Sequence, residues 1–137
     1  MVKLKPNIMN FLNIILEAEK KALEAFNNCV PTPVVWVQSD LMNNPIGEPS
    51  KPDLEGDCGG AYISGLDGRS PFVTWCKTNL PQNIGSIQKG VYKGYTIYLR
   101  IKNYSGQSAE KREAYARGFQ SVLKEHGIPC YVKTYLT

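Results

Sequence analysis

Residues 95–119 read YTIYLRIKNYSGQSAEKREAYARGF, and the change of period inside them decides the fold. Up to Tyr104, Ile97, Leu99 and Ile101 fall on one side, whereas Thr96, Tyr98, Arg100, Lys102 and Tyr104 fall on the other, as successive side chains alternate across a sheet. A strand over 91–104 follows, greasy on one face and aromatic and cationic on the other. After Ser108 the spacing turns helical, with Tyr115, Ala116, Phe119, Val122 and Leu123 forming an inner stripe. Ser108 is placed to cap that helix, and Gly127 and Pro129 stop it after His126. Gly118, inside the stripe, lets a neighbouring element come close.

Working outward, the tail PCYVKTYLT repeats the alternation: Cys130, Val132 and Leu136 against Tyr131, Lys133 and Tyr135. At the other end a helix is expected over 6–28, because Pro6 suits a first turn and Ile8, Phe11, Leu12, Ile15, Ala22, Leu23 and Phe26 recur at helical spacing. Met9, Ile14 and Leu16 widen this apolar surface, so the helix either packs deeply in its own domain or presents a second face to another subunit. VVWVQS (34–39) reads as a buried strand, and residues 43–60 read as a long loop. Within that loop Asp53, Glu55 and Asp57 have the alternate spacing of a calcium loop but lack its glycine and terminal glutamate, so a solvated acidic loop is expected. Asp67-Gly68 reads as the turn of a hairpin between strands at 61–65 and 72–77, and 80–90 as a second irregular loop. The outcome is one domain over 1–137 of the α+β class: a mostly antiparallel sheet, a long N-terminal helix and a second helix before the last strand.

The chain's 137 residues, 42% hydrophobic and 20% charged, are those of an ordinary folded domain, and a net charge of +4 favours anionic partners. Asn7, Asn10 and Asn13 interrupt the first apolar run and no stretch is long enough for a membrane span, so a cytoplasmic protein is expected. Cys29, Cys58, Cys76 and Cys130 form no C-x-x-C pair; free thiols are expected, with no metal and no cofactor. The one histidine, His126, sits in the last turn of a helix, where a cation is ordinarily stabilising. With no nucleophile motif and no P-loop, the residues favour binding over catalysis.

The most suggestive corner is the join of strand and helix. Ser105, Gly106 and Ser108 bring free backbone amides and the positive end of a helix dipole to one place; Lys111, Arg112 and Arg117 follow, and Arg100 and Lys102 arrive from the strand. With tyrosine faces for a base, the set suits a nucleotide. The plain alternative is a charged helix surface, with Glu110 and Glu113 forming intrahelical pairs. Arg69, Phe72 and Trp75 either complete the pocket or, for the two aromatics, belong to the core. Two other readings stand beside it: a single-stranded nucleic-acid platform of Tyr98, Arg100, Lys102, Tyr131, Lys133 and Tyr135, and a small nucleotide hydrolase.

The long N-terminal helix, the antiparallel sheet and the run KGYTIYLRIKNYSGQSAEKREAYARGF resemble the phage anti-Thoeris sponge proteins of the first type. That resemblance implies a non-catalytic homo-oligomer, a dimer or a higher assembly such as a hexamer. It would bind a cyclic ADP-ribose isomer and deny it to a bacterial anti-phage defence, with a second site for cyclic di- or trinucleotides. By residue type it would place Arg112, Arg117, Arg69 and Arg100 on phosphates, Phe72 or Tyr104 on the base and Asn103 as a polar contact.

Overall fold

The computed structural model describes residues 8–33, 38–39, 45–46, 59–90, 93–104, 106 and 108–136. In chain order these form α1 (Ile8–Asn28), β1 (Gln38–Ser39), β2 (Pro45–Ile46), β3 (Gly59–Leu66), α2 (Pro71–Asn79), β4 (Gly85–Lys89), β5 (Tyr95–Leu99), α3 (Ala109–Glu125) and β6 (Tyr131–Leu136). The fold is α+β, with the long helix first and a helix before the last strand.

The main sheet has the strand order β4-β5-β3-β6, every neighbouring pair antiparallel. Since β3 and β4 both oppose β5, and β5 and β6 both oppose β3, two β-α-β units interleave: β3-α2-β4 and β5-α3-β6. This is the split β-α-β arrangement, which puts its central strands β5 and β3 side by side. β1 and β2 form a separate two-residue pairing, Gln38 with Ile46 and Ser39 with Pro45.

One face of the sheet is the core. Ile63, Leu66 and Ile97 are buried there beneath α3, whose Ala116, Phe119, Val122 and Leu123 are also buried. A Cβ on Gly59 would come within 3.1 Å of the Ala109 methyl, so α3 starts directly over β3. α1 runs along α3, burying Ile15, Ala18, Ala22 and Phe26, and the small residues permit a close crossing: a Cβ on Gly118 would lie 2.9 Å from both Ala22 Cα and Lys21 O. Leu16, on the widened apolar side of α1, is exposed, and Ile14 packs only in part.

Three expectations are corrected. Residues 72–77 are helical, not the second arm of a hairpin. Ser70 caps α2 by accepting from Val73 N at 3.2 Å, and Pro71 takes the first helical position; Phe72, Val73, Trp75 and Cys76 then fall on one buried stripe. Asp67-Gly68 does turn the chain, with Ser70 N donating to Asp67 O at 3.0 Å, but into a helix. The second irregular loop contains β4, which pairs with β5 through Ile87 and Ile97. The strand expected over 91–104 is shorter because Gly94 (φ 80°) closes the β4–β5 turn and Asn103 (φ 59°) begins the next. The helix expected over 6–28 agrees from Ile8 onward; residues 1–7, 34–37 and most of 40–58 lie outside the described residues, and with them most of the VVWVQS strand and the acidic loop. No helix among the described residues is long and apolar enough to cross a membrane.

Candidate ligand-binding site

The other sheet face carries no helix among the described residues, and its side chains follow from parity. On β3, Gly60, Tyr62 and Ser64 oppose the buried Ile63; register then sets Gly60 opposite Tyr135, Tyr62 opposite Lys133 and Ser64 opposite Tyr131 on β6. Thr96 and Tyr98 stand on the same face of β5. The ring centroids of Tyr62 and Tyr98 are 5.2 Å apart, and those of Tyr62 and Tyr135 6.2 Å.

Two glycines of β3 make room for these rings. Gly65 is the extra residue of a bulge between Ile63 and Leu66, in the left-handed region at φ 76°. A Cβ there would collide with the Tyr131 ring, as one on Gly60 would with Tyr135. The bulge restores parity as well, so that Leu66 returns to the core after Ser64 has faced outward.

Between the rings lies a cavity of about 270 Å3, lined by Tyr62, Ser64, Gly90, Lys93, Thr96, Tyr98, Tyr131 and Lys133. Its floor is a hydroxyl pair, Ser64 Oγ to Thr96 Oγ1 at 3.3 Å, with the two residues 8% and 4% exposed. One shared bond leaves each oxygen further capacity, and the pair offers a second hydroxyl proton to a ligand. The walls are tyrosines, Tyr98 and Tyr131 being 44% and 52% exposed, enough to offer ring faces. The rim is cationic, Lys93 and Lys133, and no carboxylate lines the cavity among the described residues.

The strand–helix corner is also a cluster, but its groups are engaged with one another. Ser108 is buried and caps α3, its Oγ accepting from Lys111 N at 3.2 Å, while its own N–H donates to Tyr104 Oη at 3.1 Å. Arg112 Nη2 donates to Gly106 O at 2.6 Å and its guanidinium lies 5.3 Å from the Tyr104 ring centroid. Lys111 Nζ reaches Phe26 O at 3.4 Å and sits 4.2 Å over the Phe26 ring, which meets Tyr104 edge-on at 4.8 Å. In the first turn of α3, the Glu110 carboxylate accepts from Thr32 N at 3.1 Å through both oxygens. Glu110 thus brings a negative charge to the first turn of the helix, where a ligand anion was expected.

The remaining expected site residues are dispersed. Arg117 is exposed and pairs with Glu113 at 2.9 Å, beside a cavity of about 590 Å3 that Glu110 and Glu113 also line. Arg69 lies at the turn after β3, 3.7 Å from Asp67, and Arg100 and Asn103 follow the far end of β5. Phe72 is 2% exposed and packs edge-on against Phe11 at 5.7 Å, so it is not available to stack on a ligand; it is needed where α2 meets α1. Ser105 lies outside the described residues. Of the platform residues, Tyr98, Tyr131, Lys133 and Tyr135 share the open face, whereas Arg100 and Lys102 stand past the end of β5. Sequence reasoning passed over Tyr62, Ser64 and Lys93; the alternation of Tyr62 and Ser64 with Ala61 and Ile63 was the available signal.

Burial pushes the Cys76 thiol up to about 12 and Cys130 up to about 11, which keeps both protonated at neutral pH and poor as nucleophiles. The Cys29 thiol is raised too, first by burial and then by the nearby Glu110. Tyr95 is lowered, chiefly by its hydrogen bond with Lys77, whose ammonium lies 4.4 Å from the ring centroid. No group of three or more metal-ligating side chains occurs among the described residues.

Comparison with protein-family models, curated proteins and solved structures finds no match to this chain.

Proposed function

We propose that the protein binds a nucleotide in the sheet-face cavity and holds it without transforming it. The supporting observation is the combination in one cavity of three tyrosine rings, a floor of two hydroxyls and a rim of two lysines. Rings stack on a base; hydroxyls bond its polar edge or a sugar; ammonium groups meet phosphate. At about 270 Å3 the cavity lies near the roughly 300 Å3 lower end of small-molecule sites, which suits one base and its sugar with the phosphates at the rim. The reading of holding over transforming rests on this binding chemistry, rings for stacking and ammonium groups for phosphate.

The resemblance to anti-Thoeris sponge proteins narrows the ligand to a cyclic ADP-ribose isomer. It also supplies the consequence: a cyclic signal sequestered in the cytoplasm, away from a defence effector, by a homo-oligomer. The exposed Leu16 on α1 is our candidate for the subunit contact.

Isothermal calorimetry with cyclic ADP-ribose isomers and with adenosine monophosphate tests this reading. Wild type should bind one of them and release it chemically unchanged after denaturation, and Tyr131→Ala should weaken binding at least about five-fold, the lower end of base stacking on an aromatic ring. Absence of heat with every nucleotide up to about 1 mM, a limit of about 4 kcal/mol, rejects the proposal. Native mass spectrometry of wild type and Leu16→Lys tests the assembly.

A further inference from the structure

The tyrosines do not stop at the cavity. Tyr135, 51% exposed and outside the cavity lining, continues the line from Tyr98 through Tyr62, with steps of 5.2 and 6.2 Å between ring centroids. Along the edge strand β6 the same face reads Tyr131, Lys133, Tyr135, so ring, ammonium and ring alternate. Tyr131 and Tyr135 are four residues apart on β6, which at the rise of a strand separates them by about 13 Å, about four times the 3.4 Å rise between stacked bases of a duplex strand. Bases seated on Tyr131 and Tyr135 therefore cannot be stacked on each other, and a ligand that uses both has splayed bases with a backbone crossing between them. Lys133 stands at that crossing.

We infer that this face is a path for single-stranded nucleic acid, with one base in the cavity, the next on Tyr135 and the intervening phosphate at Lys133. The inference rests on the cavity's holding a nucleotide and extends that ligand to a polymer. Duplex is excluded by its base spacing and by the need for bases to leave the stack. The fold offers an analogy: a common RNA-binding module stacks two or three bases on aromatics of a four-stranded sheet, and here Tyr62 and Tyr98 occupy the two central strands. The geometry makes the argument independently, because the glycine opposite Tyr135 clears its ring to lie across β3.

Fluorescence anisotropy with six-nucleotide uridine and deoxythymidine strands, set against uridine and thymidine monophosphates as competitors, tests it. The expected result is a strand affinity at least about ten-fold above that of the monophosphate, with log K falling against log salt at a slope of about −0.7 for each phosphate held. Tyr135→Ala should remove at least about five-fold of the strand affinity while leaving monophosphate binding within two-fold, and Tyr135→Phe should restore it. Circular dichroism of the variants confirms that the fold is intact. If strands bind no more tightly than monophosphates, the path is refuted and the cavity stands. If strands bind more tightly but Tyr135→Ala changes nothing, the path does not cross Tyr135 and the inference fails. If neither binds, the path fails, while the cavity reading is decided separately by the cyclic ADP-ribose isomers and adenosine monophosphate.

Discussion

Gly118→Ala should destabilise the protein although it replaces glycine by the best helix former in the interior of α3. Two terms compete. Helix propensity favours alanine by about 1 kcal/mol. Against it, the new Cβ would lie 2.9 Å from Ala22 Cα, 2.9 Å from Lys21 O and 3.2 Å from Ala22 N. All three are backbone atoms of α1, so no rotamer change relieves the crowding. The helices must separate by about half an ångström along a crossing whose other members, Ala18 and Ala22, are fully buried. Overpacking of a well-filled core costs about 1–3 kcal/mol, and the rigidity of the atoms met places this case in the upper part of that range. A net loss of about 1 kcal/mol remains. Urea unfolding followed by circular dichroism reads it as a midpoint lowered by about 0.5 M at unchanged slope. Arg117→Gly and Arg117→Ala, compared at the adjacent exposed position, measure the propensity term alone. If Gly118→Ala gains the same stability as that pair, α1 does not cross α3 as closely as described and the reasoning is refuted.

Three further outcomes are expected. Tyr115 has a buried hydroxyl with no hydrogen-bond partner among the described residues, so Tyr115→Phe should raise stability by about 1 kcal/mol in urea unfolding; a loss would show that the hydroxyl is bonded. Ser64→Ala and Thr96→Val should each cost about 1 kcal/mol, and the double variant little more than either, since each single change strands the other hydroxyl; additive costs would show the pair is not coupled. Stability should fall at alkaline pH: burial raises Cys76 to about 12 and Cys130 to about 11, so above the ordinary thiol value of 9.0 the unfolded chain loses protons that the fold retains. That contribution is complete below pH 9 and declines as pH rises, by about 1.4 kcal/mol per pH unit for each thiol, until about 11 for Cys130 and about 12 for Cys76. Cys76→Ala should flatten the slope, and a midpoint constant from pH 8 to 10.5 would contradict it.

The elements legible in the sequence were those whose own period and punctuation agree. α3 carries a capping serine, a helical stripe and a terminal glycine, and it spans Ala109–Glu125 as expected; α1 and the alternation of β5 and β6 were read for the same reason. The errors fell where local signals compete. Phe-Val-Thr-Trp favours a strand by propensity, yet Ser70-Pro71 starts a helix, and burial of Phe72, Val73, Trp75 and Cys76 on one stripe decides the matter. β4 has almost no signal of its own: Gly85, Ser86 and Gln88 are poor markers, and the strand exists because β5 offers an edge to pair with.

The same contrast explains why the cations of α3 were the more conspicuous site and the sheet face the better one. Residues close in sequence satisfy one another first. Gly106 and Arg112 are six apart, so the guanidinium reaches the carbonyl that the loop would leave unpaired; Lys111 is engaged as well, though by a distant partner, the Phe26 carbonyl in the last turn of α1. Leaving a buried carbonyl unbonded costs about 1–3 kcal/mol, so any ligand phosphate at that corner must first displace these bonds and the Glu110 contact with Thr32. The tyrosines, by contrast, come from β3, β5 and β6, too far apart in sequence to engage locally, and their convergence depends on register and on one bulge at Gly65. A one-residue slip without that bulge would place Ser64 or Leu66 on the wrong face. What favours the sheet face as the candidate site is that its side chains cost something to place there, two glycines of which one is left-handed, while contributing little of the buried core that holds the fold together.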